Sequence, residues 1–174
     1  MDKVNNGWPQ PAAMPYNNSV ETGFRLVVLL HEFHPRSLSL RELVILDYLL
    51  VHSGDLPDGP TALHPQTPFR RSERFVRRGP IQRGLSLFSS FGFVEAIHDL
   101  KGISYRASDY STGFLRSIRS DYANELLERA RWLAGRFLDQ DVNAIEALIE
   151  EHVGKWAIEF EFLTLDLAGD SNGR

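Results

Sequence analysis

Two groups of side chains have the residue types and spacing of metal ligands. His31 and His34 lie three residues apart, so a helix would place both imidazoles on one face, where they could bind zinc. The second group supplies nitrogen and oxygen donors from one stretch of chain: His52, Asp55, Asp58 and His64. It matches no known ligand spacing. Histidines at the end of a helix also complement its dipole, and aspartates cap loops. We therefore predict no metal site.

No other pattern is typical of catalysis. The chain has no cysteine, which excludes disulfides, thiolate zinc sites and cysteine nucleophiles. Ser53 lies beside His52 and Asp55, but the strand, sharp turn and helix that expose a nucleophilic serine are missing from the pattern. Gly54 and Gly59 are not followed by the Gly-Lys pair of a phosphate-binding loop. The sequence predicts a protein that is not an enzyme, with no catalytic residue and no cofactor.

Arginines are concentrated in one segment. Between Phe69 and Leu85 the only acid is Glu73, and the segment carries a net charge of about +5. Its arginines are Arg70, Arg71, Arg74, Arg77, Arg78 and Arg83. Arginine neutralises phosphate and can read guanine in the major groove, and it is also enriched in protein interfaces. We predict a partner-binding or DNA-binding surface here, with a solvated helix face as the simplest alternative.

The rest of the chain is acidic. The formal net charge is -4, and the pI is about 5.9. From Asp139 onward the sequence contains nine acidic residues and two basic ones, Lys155 and Arg174, which gives a net charge of about -7. A DNA-binding protein of this size usually has a more basic surface, so any contact with nucleic acid requires a local patch.

The elements that position these residues are predicted to be mainly helical. The length of 174 residues fits one domain with a helical appendix. Helix 1 is predicted over Val20–Phe33 with Ser19 as its N-cap. Helix 2 is predicted over Leu40–His52, begun by a Ser39–Glu42 capping box and ended by Gly54. A loop rich in proline and glycine follows as far as Pro68.

A third helical segment and a β-hairpin come next. The helix is predicted over Arg71–Phe91, with Gly79-Pro80 kinking or splitting it. Alternating residues predict strands at Phe93–Ile97 and Ile103–Ala107, joined by a turn. Three helices followed by a hairpin is the chain order of a winged helix.

The remaining segments form the predicted helical extension. Helices are expected over Ser111–Ile118, Asp121–Leu138 and Val142–Val153. Residues 155–167 are apolar and fit either a helix or a strand. The fold class is therefore α+β, mainly α with a small β-hairpin: a winged helix-turn-helix domain followed by a helical C-terminal extension. We divide the chain into an extended N-terminal arm (1–18), the winged-helix domain (19–108), the helical extension (109–168) and a disordered tail (169–174).

The expected cellular location follows from the absence of two sequence signals, a signal peptide and a membrane-spanning segment. The N-terminus has no apolar core typical of a signal peptide, and no apolar run reaches the length needed to span a bilayer. The absence of cysteine fits a reducing compartment. We expect a cytoplasmic protein that does not contact a membrane.

Several short strings resemble one protein family. They are NSVETGFR (18–25), DYLLVHSGD (47–55), LHPQTPFR (63–70), VRR (76–78) and IQRGL (81–85). With them the chain resembles the middle component of bacterial ABC-three-component systems, the operons that include the Lamassu-type anti-phage defence systems. The resemblance covers about Asn18–Ala107 and weakens through the helices that follow. Gly79-Pro80 departs from it, since helix-forming residues are expected there.

The resemblance implies a function as well as a fold. It implies a small non-enzymatic winged-helix adapter subunit, which binds an SMC/Rad50-like ABC ATPase and links it to an effector component. Contact with DNA as part of that complex is left open. Two other hypotheses remain: a stand-alone winged-helix transcription regulator that binds DNA as a dimer, and a metal-dependent hydrolase that uses the donors between His52 and His64.

Overall fold

A computed structural model describes residues 18–64 and 78–153 of the chain. The predicted N-terminal arm lies outside the described residues apart from Asn18, as do the predicted helical turns Arg71–Arg77, the apolar segment 155–167 and the tail. The described residues are mainly helical, with one small antiparallel sheet. The predicted α+β class is therefore confirmed.

Six helices and three strands follow one another in the described chain. The helices are α1 (Ser19–Glu32), α2 (Leu40–Val51), α3 (Arg78–Ser90), α4 (Asp109–Ser117), α5 (Asp121–Phe137) and α6 (Val142–Val153). The strands are β1 (Leu38–Ser39), β2 (Val94–Asp99) and β3 (Gly102–Ala107). A 3-10 turn, Ser53–Asp55, follows α2. Within the described residues, no helix is both long enough and apolar enough to cross a membrane.

The first two helices differ from the predictions at their ends. Asn18, rather than Ser19, caps α1, since its Oδ1 accepts a hydrogen bond from the Glu21 N–H at 2.8 Å. The capping box of α2 is confirmed: Ser39 Oγ accepts from the Glu42 N–H at 3.3 Å, and Glu42 accepts from the Ser39 N–H at 2.7 Å. The helix ends at Val51, so Gly54 lies in the 3-10 turn and does not terminate it.

Removal of this cap gives a measurable stability prediction. We expect Ser39→Ala to lower the free energy of unfolding by about 0.5–2 kcal/mol, because it exposes a helix N–H that Ser39 satisfies. Urea denaturation followed by circular dichroism measures the loss. Ser86→Ala is the matched control, since Ser86 is exposed and its hydroxyl makes no hydrogen bond within the described residues. An equal change in both variants would contradict the role of the cap.

The predicted hairpin is confirmed, and it gains a third strand. β2 and β3 pair from Val94 opposite Ala107 to Asp99 opposite Gly102, and Gly102 has a φ of +120° that favours glycine. Leu38 and Ser39 pair with Tyr105 and Ser104, so the sheet order is β1-β3-β2. The sequence did not predict β1, because two residues are too few to show alternation.

The third predicted helix lies only partly within the described residues, as α3 over Arg78–Ser90. Gly79-Pro80 stands at the beginning of this described part, and the predicted turns before it lie outside the described residues. The predicted kink or split at Gly79-Pro80 therefore stays a prediction.

One hydrophobic core joins both predicted halves of the chain. Its centre consists of Leu26–Leu30 of α1 and the apolar residues of α2. Side chains of α5 and α6 complete it: Leu126, Ala130, Leu133, Phe137, Ile145 and Ile149. The later helices form as predicted, with ends that differ by at most two residues for α4 and by one residue for α5. The division between residues 108 and 109 stays a prediction, but the helices on either side of it share this core.

Candidate functional site

The predicted arginine surface lies only partly within the described residues. Arg78 and Arg83 are on α3, where Arg78 is half-buried and Arg83 is exposed. The other four predicted residues lie outside the described chain: Arg70, Arg71, Arg74 and Arg77. The prediction for the full set therefore stays a prediction.

The visible part of this surface is polar and positively charged. Gln82, Arg83 and Ser86 are exposed on α3 and, with Ser19 and Leu87, line a shallow depression of about 510 Å³. α3 contains no acidic residue between its ends. We call these exposed α3 side chains the α3 face.

The hairpin beside it has no positive bias. Glu95 and Arg106 form an exposed ion pair at 2.8 Å across the two strands. Asp99 accepts a hydrogen bond from the Lys101 N–H in the turn. The fully exposed side chain between them is apolar Leu100. The hairpin therefore offers little electrostatic attraction to phosphate.

The side chains with metal-ligand chemistry are placed apart or engaged in other contacts. His52 is buried with its ring centroid 4.6 Å from that of Tyr48, and Asp55 accepts a hydrogen bond from the Tyr48 hydroxyl at 2.6 Å. Asp58 is exposed. The His52 and His64 rings meet edge to face at 6.3 Å. Among the described residues, no three histidine, aspartate or glutamate side chains come together as a metal site.

The strongest electrostatic feature is a cluster that the sequence reasoning missed. The Arg25 guanidinium donates to both carboxylate oxygens of Asp47, at 2.6 and 3.1 Å, and to Glu21 at 3.1 Å. Glu21 also accepts a hydrogen bond from the Tyr122 hydroxyl at 2.9 Å, and His64 Nε2 lies 3.9 Å from the same carboxylate. We call these five residues the buried charge cluster.

Burial and charge shift the protonation equilibria of this cluster. Burial alone would lower the pKa of Arg25, but the carboxylates of Asp47 and Glu21 raise that pKa above its usual value. Burial and the hydrogen bond to Glu21 raise the pKa of the Tyr122 phenol. Arg25 therefore stays charged and Tyr122 stays neutral at physiological pH.

The cluster joins several elements around a buried ion pair. Arg25 and Asp47 are each 1% exposed. Arg25 and Glu21 come from α1, Asp47 from α2, His64 from the loop after α2 and Tyr122 from α5. These contacts fix the packing of three helices and one loop.

Three of the short strings that carry the family resemblance supply residues to the cluster. The strings 18–25, 47–55 and 63–70 each contribute a member: Glu21 and Arg25, then Asp47, then His64. A signal for it was present, since Arg25 directly precedes the apolar run Leu26–Leu30 and Asp47 interrupts the apolar run of α2. A charge in such a position usually has a buried partner.

Comparison with known proteins assigns the family. Residues 15–159 match the model of the family described as ABC-three component (ABC-3C) system Middle Component 2. The chain belongs to this family. The match spans most of the chain and confirms the resemblance at the level of an ABC-three-component middle component. Neither the curated proteins nor the solved structures contain a significant match. The middle component is one part of a multicomponent system, so its partners are other components of that system.

Proposed function

We propose that this middle component is a non-enzymatic winged-helix adapter of a Lamassu-type anti-phage defence complex. In this proposal it binds an SMC/Rad50-like ABC ATPase and links it to an effector component. The single observation that carries the proposal is the family match over residues 15–159, since a middle component acts together with the other products of its operon.

The topology supports the winged-helix part of the proposal. The elements run α1, β1, α2, α3, β2 and β3 along the chain, and β1 adds to the hairpin on the β3 side. Winged helices are variants of the helix-turn-helix with this kind of small sheet, and in this proposal α3 is the counterpart of their recognition helix. Residues 65–77, between α2 and α3, lie outside the described chain. The exposed residues of α3 are then the natural surface for a partner.

The chemistry of the described residues supports a role in binding. The ionised groups with the lowest exposure are engaged in contacts that join elements, as in the Arg25–Asp47 pair and in the pair of Glu146 with Arg41 at 2.5 Å. These buried charges therefore stabilise the fold, and exposed residues such as Arg83, Arg116 and Arg119 remain for contacts with a partner.

Co-purification tests the adapter directly. We expect the tagged protein, expressed with its neighbouring genes, to form a stable complex that contains an ABC ATPase, with a mass measurable by native mass spectrometry. Reversing the charge of Arg70, Arg74, Arg77 and Arg78 should weaken that complex or its binding to DNA, whichever uses this surface. If the protein remains a monomer or homodimer and binds no product of the neighbouring genes at micromolar concentration, the proposal is contradicted.

One observation favours a second candidate, a stand-alone DNA-binding regulator. The α3 face presents Gln82 and Arg83, whose side chains can hydrogen-bond to base edges, and it contains no acid. The hairpin carries no excess of positive charge, and this weighs against DNA binding by this candidate. In a gel-shift assay, binding of the protein alone, as a dimer, to a specific operator sequence would support the regulator over the adapter.

A further inference from the structure

A second basic surface lies at the opposite end of α1 from the α3 face. The last turn of α1, the end of α4 and one face of α5 enclose an open groove of about 520 Å³. We call it the α4–α5 groove. The residues that carry the argument are Glu32 of α1, Leu115 and Arg116 of α4, Arg119 just after it, and Leu127 and Arg131 of α5.

The rim of the groove carries an excess of positive charge. Arg116 and Arg119 are exposed, and neither forms an ion pair with another described residue. Arg131 pairs with Glu32 at 3.3 Å, but the Arg131 side chain remains 63% exposed. Guanidinium groups held this way favour carboxylate or phosphate ligands, which they bind through two parallel hydrogen bonds.

The floor of the groove is apolar. Leu115 is buried, and Ile118 and Leu127 are half-buried between the arginines. An apolar floor beneath a basic rim complements a peptide that carries both carboxylates and an aliphatic side chain.

The acidic surroundings disfavour a long nucleic acid. Glu32 lies within the groove, and Asp121, Glu125 and Glu128 are exposed along α5. A phosphate backbone that runs through the groove and along α5 would be repelled by Glu32 and by these exposed carboxylates. A short acidic peptide need contact only the arginines.

The position of the groove suits a second partner. Ser19 borders the α3 face, and His31 and Glu32 border the groove. A helix rises 1.5 Å per residue, so about 18 Å of α1 separates the two surfaces. The two surfaces therefore share no lining residue and lie near opposite ends of α1.

We propose that the α4–α5 groove binds an acidic peptide segment of a second subunit of the same system, with carboxylates on Arg116 and Arg119 and an aliphatic side chain on Leu115 and Leu127. This inference rests on the proposed adapter function for the identity of the subunit. The chemistry of the peptide rests on the groove alone.

Fluorescence anisotropy with the isolated full chain tests the groove. The probe is a labelled peptide of alternating glutamates and leucines, and its comparison is the same peptide with glutamine for glutamate. We expect the glutamate peptide to bind at least about tenfold more tightly, since one charge-assisted contact is worth that factor. Arg116→Glu with Arg119→Glu should lose the same factor, and the matched control Lys101→Glu with Arg106→Glu, two exposed residues of the hairpin, should retain the affinity.

Three results would overturn the inference. The first is that the Arg116→Glu, Arg119→Glu variant binds the glutamate peptide as tightly as the unaltered protein does, while thermal unfolding shows that the variant is folded. If that variant is not folded, Arg116→Gln with Arg119→Gln is used in its place. The second is no discrimination between the two peptides. The third is tighter binding of duplex DNA that displaces the peptide.

Co-purification separates this inference from the adapter proposal. If the complex forms and the groove variant keeps every subunit, the adapter stands and the groove has no role in it. If no complex forms although the isolated chain binds the acidic peptide, the adapter proposal fails while the groove chemistry holds. We expect the groove variant to lose one subunit and to retain the other.

Discussion

Asp47→Ala is expected to lower the free energy of unfolding by about 3–5 kcal/mol, the cost of leaving one member of a buried ion pair without the other. Asp47 and Arg25 are each 1% exposed, so water cannot replace the lost carboxylate. Glu21 still contacts Arg25, but through one hydrogen bond of 3.1 Å in place of the two to Asp47. Chemical denaturation followed by circular dichroism and tryptophan fluorescence measures the loss.

An exposed ion pair in the same chain provides the matched control. Glu95 and Arg106 lie 2.8 Å apart with side chains 46% and 48% exposed. We expect Glu95→Ala to cost less than about 1 kcal/mol, because solvent screens the pair and hydrates the remaining arginine. Equal losses in the two variants would show that burial of the Arg25–Asp47 pair has no energetic consequence.

A double variant distinguishes the role of the charges from the role of the pair. Replacing both residues with apolar ones, Arg25→Met with Asp47→Leu, removes both ions of the pair together. Glu21 then loses its arginine but keeps the hydrogen bond from the Tyr122 hydroxyl, and its side chain is 15% exposed to water. We expect the double variant to be more stable than the sum of the single losses predicts. If the asparagine variant Asp47→Asn stays folded where Asp47→Ala does not, it supplies the same comparison with less loss of packing.

The fold was predictable wherever local chemistry decides it. The Ser39–Glu42 capping box and the alternation in the hairpin each specify an element with only a few residues. β1 was not predictable, since Leu38 and Ser39 form a strand only because β3 lies beside them. The cap of α1 was misplaced by one residue because asparagine and serine are both good N-caps and stand next to each other.

The sites were less predictable than the fold, for a physical reason. Arg25 reaches Asp47 across 22 positions and Tyr122 reaches Glu21 across 101. A charge within an apolar run indicates that it has a buried partner, but spacing along the chain does not say which residue that partner is. The packing of the helices decides it. The α4–α5 groove is similar, because α1, α4 and α5 each supply part of its lining.

The crossing of α1 and α3 depends on two glycines. A Cβ atom placed on Gly84 would lie 2.8 Å from the backbone nitrogen of Gly23 and 3.1 Å from its Cα. A Cβ on Gly23 would overlap the ring of Phe88. The two backbones therefore approach more closely than any pair of side chains would allow. This approach positions α3, and with it the α3 face, against the core.

Gly84→Ala is accordingly expected to lower the free energy of unfolding by about 1–3 kcal/mol, because α1 and α3 must move apart to accept one methyl group. Gly135→Ala is the control, since Gly135 is an exposed residue of α5 with no other atom within 4 Å of an added Cβ. It should stabilise the protein by about 0.5–1 kcal/mol, the ordinary gain of alanine over glycine in a helix. Both changes add the same methyl group to a helix, so the difference between their unfolding free energies in urea denaturation isolates the overlap at the crossing.

Equal stability of the two variants would contradict the close approach of α1 and α3. A loss of partner binding in Gly84→Ala below its unfolding transition would instead show that the position of α3 is what the partner recognises.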